Sequence, residues 1–419
     1  ILNKVKQQGT PLGELCNINQ GIVTGCDRIS RRHLQQYDLN LDSGRGVFVI
    51  DRERRAEFDV TNKDKWFKPW FKNSHIDTWI PQQGEVEERL LYLDHRVKEL
   101  PAAIRKHLLP ARAVLSQRRE VSRGRIKWWQ LQWPRQKEMF TGPKLIAPQR
   151  HRYNVFAYTE QPWYASADVY YITQQETGCN LKYLLALLNS QLYYLWLYRK
   201  GKKKGDILEL YQRPLSEVPI KVIASDQQQK FIEVVDRIVI EKRRLQQLSS
   251  VSWQQLLPKQ EPPYRLLREL ARDYQVAYRG QAQKVRQIKV EIEDRTGIIY
   301  SAREQEGWYQ VLQIQLANKK LARYLKYYLE NLTDEERRQI NASQRGLVDR
   351  ILNIKLPIYS AAKRNKLVDK WSQLTRQISK LKQAIAHKET QINKLVYELY
   401  NLKQAEQNKI KGELSQINK

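Results

Sequence analysis

Between Arg118 and Arg152 the sequence interleaves cations with aromatic rings. Arg118-Arg119, Arg123 and Arg125-Ile126-Lys127-Trp128-Trp129 are followed by Trp133-Pro134-Arg135, then by Pro148-Gln149-Arg150-His151-Arg152-Tyr153. A planar guanidinium forks two N–H groups toward a guanine edge or a phosphate, and a Gln amide matches the edge of adenine. Arg118, Arg119, Arg123, Arg125, Lys127, Arg135, Gln149, Arg150 and Arg152 are therefore candidate contacts to a nucleic acid. The tryptophans read more readily as core or platform residues than as base-stacking ones. A second cluster, Arg199-Lys200-Gly201-Lys202-Lys203-Lys204-Gly205, packs five cations into a Gly-flanked loop that cannot enter a core. Either the loop is simply solvated, or Lys200, Lys202, Lys203 and Lys204 hold phosphates, supplying affinity and salt dependence but little sequence preference.

The whole chain supports that chemistry. Its 419 residues carry 74 Lys+Arg against 45 Asp+Glu, a formal net charge of +29. Such an excess repels itself in a compact fold and calls for a polyanionic partner. Disorder is excluded by a 41% hydrophobic content that includes 11 Trp and 23 Tyr. No apolar run reaches the ~18 residues of a membrane span, and no secretory signal is visible. Cys16, Cys26 and Cys179 have no paired spacing, and the six histidines form no metal-type pair on a helix face. No metal site is expected, and a reducing cytoplasm is the expected compartment. The chain opens at Ile1 and not Met, which points to a piece of something longer.

The elements that must position these side chains define an α/β (α+β) chain. A β-rich mixed recognition body comes first, and long antiparallel C-terminal helices follow. Short β-type runs occur at Val47–Ile50, Lys144–Ala147, Asn154–Tyr158 and Val169–Ile172. Leu181, Leu184, Leu185 and Leu188 predict a helix over Asn180–Tyr198. A helix capped at Ser225-Asp226 carries the stripe Phe231, Val234/Val235, Ile238 and Leu245. The last helix, near Ala361–Leu402, holds an apolar seam at Trp371, Leu374, Ile378, Leu381, Ile385, Ile392, Leu395, Leu399 and Leu402. That seam predicts an antiparallel pairing within the chain or, as the competing reading, a dimer. An internal duplication is suggested by two anchors. Leu181-Lys182-Tyr183-Leu184 resembles Leu321-Ala322-Arg323-Tyr324-Leu325, and Val218-Pro219-Ile220 resembles Leu356-Pro357-Ile358. The expected divisions are 1–222 for the recognition domain, 223–263 for a helix and Pro-rich linker, and 264–358 for a second α/β unit. The long C-terminal helix takes 359–404, and 405–419 reads as a polar tail.

Several blocks resemble, in order, one family. Pro11-Leu12-Gly13-Glu14-Leu15 through Gly21-Ile22-Val23-Thr24-Gly25-Cys26-Asp27 resembles the opening of the TaqI-like target-recognition (specificity) domain of adenine-specific DNA methyltransferases and single-chain type II restriction–modification enzymes. Lys68-Pro69-Trp70-Phe71-Lys72-Asn73-Ser74-His75-Ile76-Asp77-Thr78-Trp79 resembles its next block. Arg125–Trp129, Pro143-Lys144-Leu145-Ile146 and Leu184–Ser190 follow, and Ile392–Leu402 is similar to the closing helix. The resemblance implies recognition of a specific sequence in double-stranded DNA. It also implies an upstream methyltransferase domain or subunit that uses S-adenosylmethionine on a flipped adenine, with or without an endonuclease. The alternative is a stand-alone specificity subunit that recruits a separate methyltransferase. Arg118–Arg135 and Lys144–Arg152 become the expected base-contacting stretches, and the Gly21–Asp27 turn is expected to be architectural.

Catalytic residues are not expected in this chain. An amino-group methyltransferase needs a Gly-rich turn for its cofactor and a Pro-Pro-aromatic motif opened by Asp, Asn or Ser. Glu261-Pro262-Pro263-Tyr264 departs at its first position and follows no apolar strand. Gly21-Ile22-Val23-Thr24-Gly25 lacks the following helix start of a phosphate loop. Glu291, Glu293 and Asp294 near lysines are too common a pattern to define a nuclease. No cofactor is therefore expected to bind here.

Overall fold

The computed structural model describes residues 1–82, 86–175, 178–259, 262–278, 284–303 and 307–417. Among them no helix is long and apolar enough to cross a membrane. The chain divides into two compact units, residues 1–243 with 384–419, and residues 244–383.

In the first unit the apolar runs at Leu145–Ala147 and Val169–Ile172 become buried strands. They form an antiparallel sheet in the order Cys16–Gln20, Val169–Gln174, Lys144–Pro148, Ala157–Thr159. A second sheet joins Val49–Asp51, Glu88–Leu91, Phe67–Phe71 and Tyr164–Ala165. Aromatic stacking fills the core beside it: Phe71 lies on Trp163 at 4.7 Å and Phe140 on Tyr164 at 4.8 Å.

The single helix expected at Asn180–Tyr198 is two, Leu181–Leu188 and Gln191–Lys200. Asn189-Ser190 breaks it, because both side chains compete with the helical ladder. Ser190 accepts from Tyr193 N as the second N-cap, while the Asn189 amide bonds both Phe156 N and Phe156 O. The second helix thus starts on a new axis and ends at the basic loop.

The long helix Ser225–Ser249 and the last long helix, Ala361–Leu399, run antiparallel, as their stripes predicted. Lys221 Nζ, just before the first, donates to Leu399 O at 2.8 Å, and Lys388 pairs with Glu241 at 2.8 Å. Lys388 is the one polar gap in the seam, and its partner comes from the opposing helix. Ile385, Ile392, Val396 and Tyr397 are buried within this unit. Of the seam itself, Ile385 and Ile392 are thereby covered inside the chain, while Leu395 and Leu399 stay half-buried. Asn401, at φ 47°, turns the chain after the last long helix. The stretch read as a polar tail then folds as a helix, Gln404–Ile417, because Ile410 and Leu414 supply a buried stripe.

The second unit repeats the frame of the first. In the first, strand Thr10–Pro11 leads through helix Leu12–Leu15 to strand Cys16–Gln20, which pairs with the last strand of its sheet. In the second, Tyr264–Leu266 leads through helix Leu267–Leu270 to Asp273–Val276, which pairs with the last strand, Gly307–Gln315. Each sheet is followed by an Asn-capped helix, with Asn180 accepting from Lys182 N and Asn318 from Leu321 N. A Pro-containing strand then returns antiparallel to the opening strand, Pro219–Ile220 on Thr10–Pro11 and Lys355–Pro357 on Tyr264–Leu266. Tyrosines pin it in both cases: Tyr193 OH donates to Pro219 O at 2.7 Å and Tyr324 OH to Pro357 O at 2.8 Å. A long helix closes each unit. The repeats differ in what lies between the first strand and the others. The first unit inserts residues 21–143 there, including most of its second sheet, and the second unit only 277–287.

Candidate nucleic-acid interface

The end of the first basic stretch, Arg150-His151, and the Lys200–Lys204 cluster meet in one small sheet. Its strands are Lys203–Lys204, Ile207–Glu209 and Arg150–His151, all antiparallel, with Ile207–Glu209 in the middle. Register sets Arg150 opposite Glu209, and Glu209 N donates to Lys202 O at 2.8 Å. Lys202, Glu209 and Arg150 therefore form one row across this ribbon. The Glu209 carboxylate, nearly inaccessible, takes Arg150 Nε at 3.2 Å on one oxygen and Lys202 Nζ at 3.2 Å on the other. Tyr211 completes the row: its OH accepts from Arg150 Nη2 at 2.6 Å, and Lys202 Nζ lies 4.6 Å from its ring centre. One buried carboxylate thus holds two exposed cations in fixed directions. Lys203 rests on the Tyr198 ring at 3.8 Å, while Lys204 is exposed and Arg152, also exposed, lies 5.8 Å from the Tyr153 ring centre. Gln149 is anchored on both sides, its N–H to Asp168 O and its carbonyl from Leu210 N, with a half-buried side chain.

The same device recurs at the other cluster. Glu120, buried, receives Arg119 Nε at 3.0 Å and Arg125 Nη1 at 3.1 Å, and both arginines remain exposed. Arg123 is exposed between them. Lys127 donates to Lys98 O at 3.0 Å and leans on Trp129, which is itself in the core. Arg135, at φ 63°, lies against the Trp133 ring and donates to Gly21 O at 3.0 Å, so half of its reach is committed inward. Sequence reading missed Glu120, Glu209 and Tyr211. Only Glu209 carried a signal, as a lone acid set between apolar residues in Leu208-Glu209-Leu210.

Two cations in the expected base-contacting stretches serve the fold instead. Arg118 is 7% exposed. Its guanidinium donates to Leu115 O at 3.0 Å, Thr24 O at 2.8 Å and Trp128 O at 2.7 Å, and burial pulls its pKa down to about 10. It clamps the Gly21–Asp27 turn to the Arg-rich segment and is withdrawn from the contact set. Lys144 is fully buried, donating to Gly142 O at 2.8 Å and Gln161 O at 2.9 Å, with its pKa lowered by burial to about 8.

The turn itself is built on close approach. A Cβ on Gly21 would fall 2.1 Å from Ser166 O. Gly25 combines φ +86° with a Cβ position 2.6 Å from Arg118 Cδ. These glycines seat backbone and a structural Arg, and no helix opens here; the next one starts at Arg31. The residues present do not fit a cofactor loop. The Pro-Pro near-match does no better: Glu261 lies outside the described residues, and Pro262-Pro263 precede a strand instead of following one. Among the described residues, no group of His, Cys, Asp and Glu could hold a metal ion.

The class of module follows from the segment that builds the ribbon. Residues 113–220, which contain every residue of the ribbon and the Glu120 cluster, match the TaqI-like C-terminal specificity domain family. Over those residues the chain is similar to a TaqI-like specificity domain, as the blocks Arg125–Trp129, Pro143–Ile146 and Leu184–Ser190 implied. Among individual proteins it is similar to the type II methyltransferase M.HincII of Haemophilus influenzae, 26% identical over 106 residues. That match takes in 23% of this chain and 21% of the relative, so the chain spans about a fifth of that protein's length. Among solved structures, the type IIL restriction–modification enzyme MmeI in complex with DNA is similar over 56% of this chain and 29% of its own, with 12% identity and a TM-score of 0.41. The type I restriction–modification S subunit from M. genitalium is similar over 92% and 95%, with 10% identity and a TM-score of 0.45.

Replacing Arg150 by Ala is expected to cost on the order of 1–3 kcal/mol on the preferred DNA sequence and little on random DNA, measured as two dissociation constants. An equal loss on both would make Arg150 a phosphate contact.

Proposed function

We propose that this chain reads a specific sequence in double-stranded DNA for an adenine-specific methyltransferase of a restriction–modification system. The observation that carries the reading is the ribbon, which lies within the specificity-domain segment and holds Arg150 and Lys202 on one buried Glu209. Exposed cations fixed by a carboxylate are pre-ordered, so less side-chain freedom is lost when DNA arrives. Arg150, Arg152, Arg119, Arg123 and Arg125 supply forked donors for base edges and phosphates. Lys200, Lys202, Lys203 and Lys204 neutralise phosphates without reading sequence. Catalysis belongs to a methyltransferase domain upstream of this chain. That part binds S-adenosylmethionine and acts on the amino group of an extruded adenine. The test is the adenine methylation pattern of DNA from cells expressing the native protein. Methylation at one short sequence, lost when residues 113–220 are deleted, is expected. An unchanged pattern after the deletion would overturn the reading.

A further inference from the structure

Beside the ribbon lies an open cleft of about 1010 Å³, walled by the N-terminal helix Leu2–Gln7, the end of the Gln191–Lys200 helix and the helix Gln212–Ser216. Four cations from three separate stretches of chain line it: Lys6, Lys200, Lys202 and Arg213. Its aromatic surface comes from Trp196 and Tyr211. The only carboxylate in this lining is that of Glu217, and it is bonded to Arg213 at 2.9 Å. That pair is four residues apart on an exposed helix, with the Arg213 side chain 90% accessible. So exposed a pair is held only weakly, and a phosphate can take Arg213 from it at little cost.

The cleft is joined to the ribbon through shared residues. Lys202 and Tyr211 belong to both, and Tyr211 OH holds Arg150 at 2.6 Å. A strand that passes Arg150 and Lys202 therefore continues into the cleft. We infer that this cleft holds the sugar–phosphate backbone of DNA flanking the read sequence, with Lys6 and Arg213 as phosphate contacts. The inference rests on the DNA-reading function proposed above. Cations here neutralise phosphates, and the aromatic and proline walls suit deoxyribose. An extended ligand entering from the ribbon explains why the cleft is open instead of closed around a small molecule.

The test uses the full chain, a Lys6→Ala/Arg213→Ala variant, and a duplex recovered by selection from a randomised library, with either short or long flanks. Both side chains are exposed, so the variant should unfold at the wild-type temperature. Wild type should gain about tenfold in affinity from long flanks, the variant should gain little, and its salt slope should fall by about 1–2. The short-flank duplex should bind both proteins alike. A variant that keeps the long-flank gain overturns the inference, as does one that loses equally on both duplexes. So does tight binding of free ATP or inorganic phosphate by wild type that the variant abolishes. If selection recovers no sequence, the DNA-reading function itself has failed, and that failure is separate from the cleft's.

Discussion

Replacing Lys202, Lys203 and Lys204 together by Ala should weaken binding to every DNA sequence by a similar factor, roughly tenfold to a hundredfold at low salt. Each phosphate neutralised releases condensed counterions, and the slope of log K against log salt changes by about 0.9 for each. Removing all three ammonium groups would lower the slope by about 2–3. The lower figure is the better expectation, because Lys202 already shares Glu209 with Arg150 at 3.2 Å and gains less from a phosphate. Lys203 sits on the Tyr198 ring, which positions the ammonium without neutralising it. The measurement is a salt titration on a preferred and on a random duplex. Loss confined to the preferred duplex would contradict a backbone role and place base readers in this loop.

Arg118→Ala should give the largest loss of stability, about 3–5 kcal/mol. Three backbone carbonyls would lose a charged donor at once, and each buried acceptor left unpaired carries its own desolvation cost. The vacated volume beside Gly25 adds a cavity, since Phe48 also packs on the guanidinium at 5.4 Å. Arg118→Lys should rescue little, because one ammonium cannot reach Leu115, Thr24 and Trp128 together. The chain has two compact units, so its thermal unfolding need not be one transition. Only the transition of the unit containing Arg118 should move. DNA binding at a temperature where the variant is folded should keep the wild-type salt slope. A reduced slope there would return Arg118 to the phosphate contacts.

Arg118 and Arg119 show where sequence reading stops. They are the same residue type, side by side, yet one is buried and the other exposed. What separates them is Thr24 O, 94 positions away in sequence, which no local pattern reveals. The ribbon was hidden for a related reason. Arg150–His151 and Lys203–Lys204 are two-residue strands, too short to carry any periodicity, and only pairing with Ile207–Glu209 makes them strands. By contrast, elements with long apolar stripes were legible. The last long helix was expected at Ala361–Leu402 and is observed at Ala361–Leu399. Its polar gap at Lys388 gave no hint of its partner, Glu241. The repeated frame was visible at two anchors, Leu181–Leu184 with Leu321–Leu325 and Val218–Ile220 with Leu356–Ile358, and the second was legible because the antiparallel Pro strand constrains those residues in both units. The frame around the anchors had to come from topology.

Whether this chain reads a DNA sequence is decided by selecting bound duplexes from a randomised double-stranded DNA library and sequencing them. Recognition of a specific sequence predicts enrichment of one short motif, and Arg150→Ala should relax the motif at a single position while Lys202→Ala/Lys203→Ala/Lys204→Ala leaves it intact. Strong binding with no enriched motif would contradict sequence recognition and leave the chain a non-specific binder of polyanions.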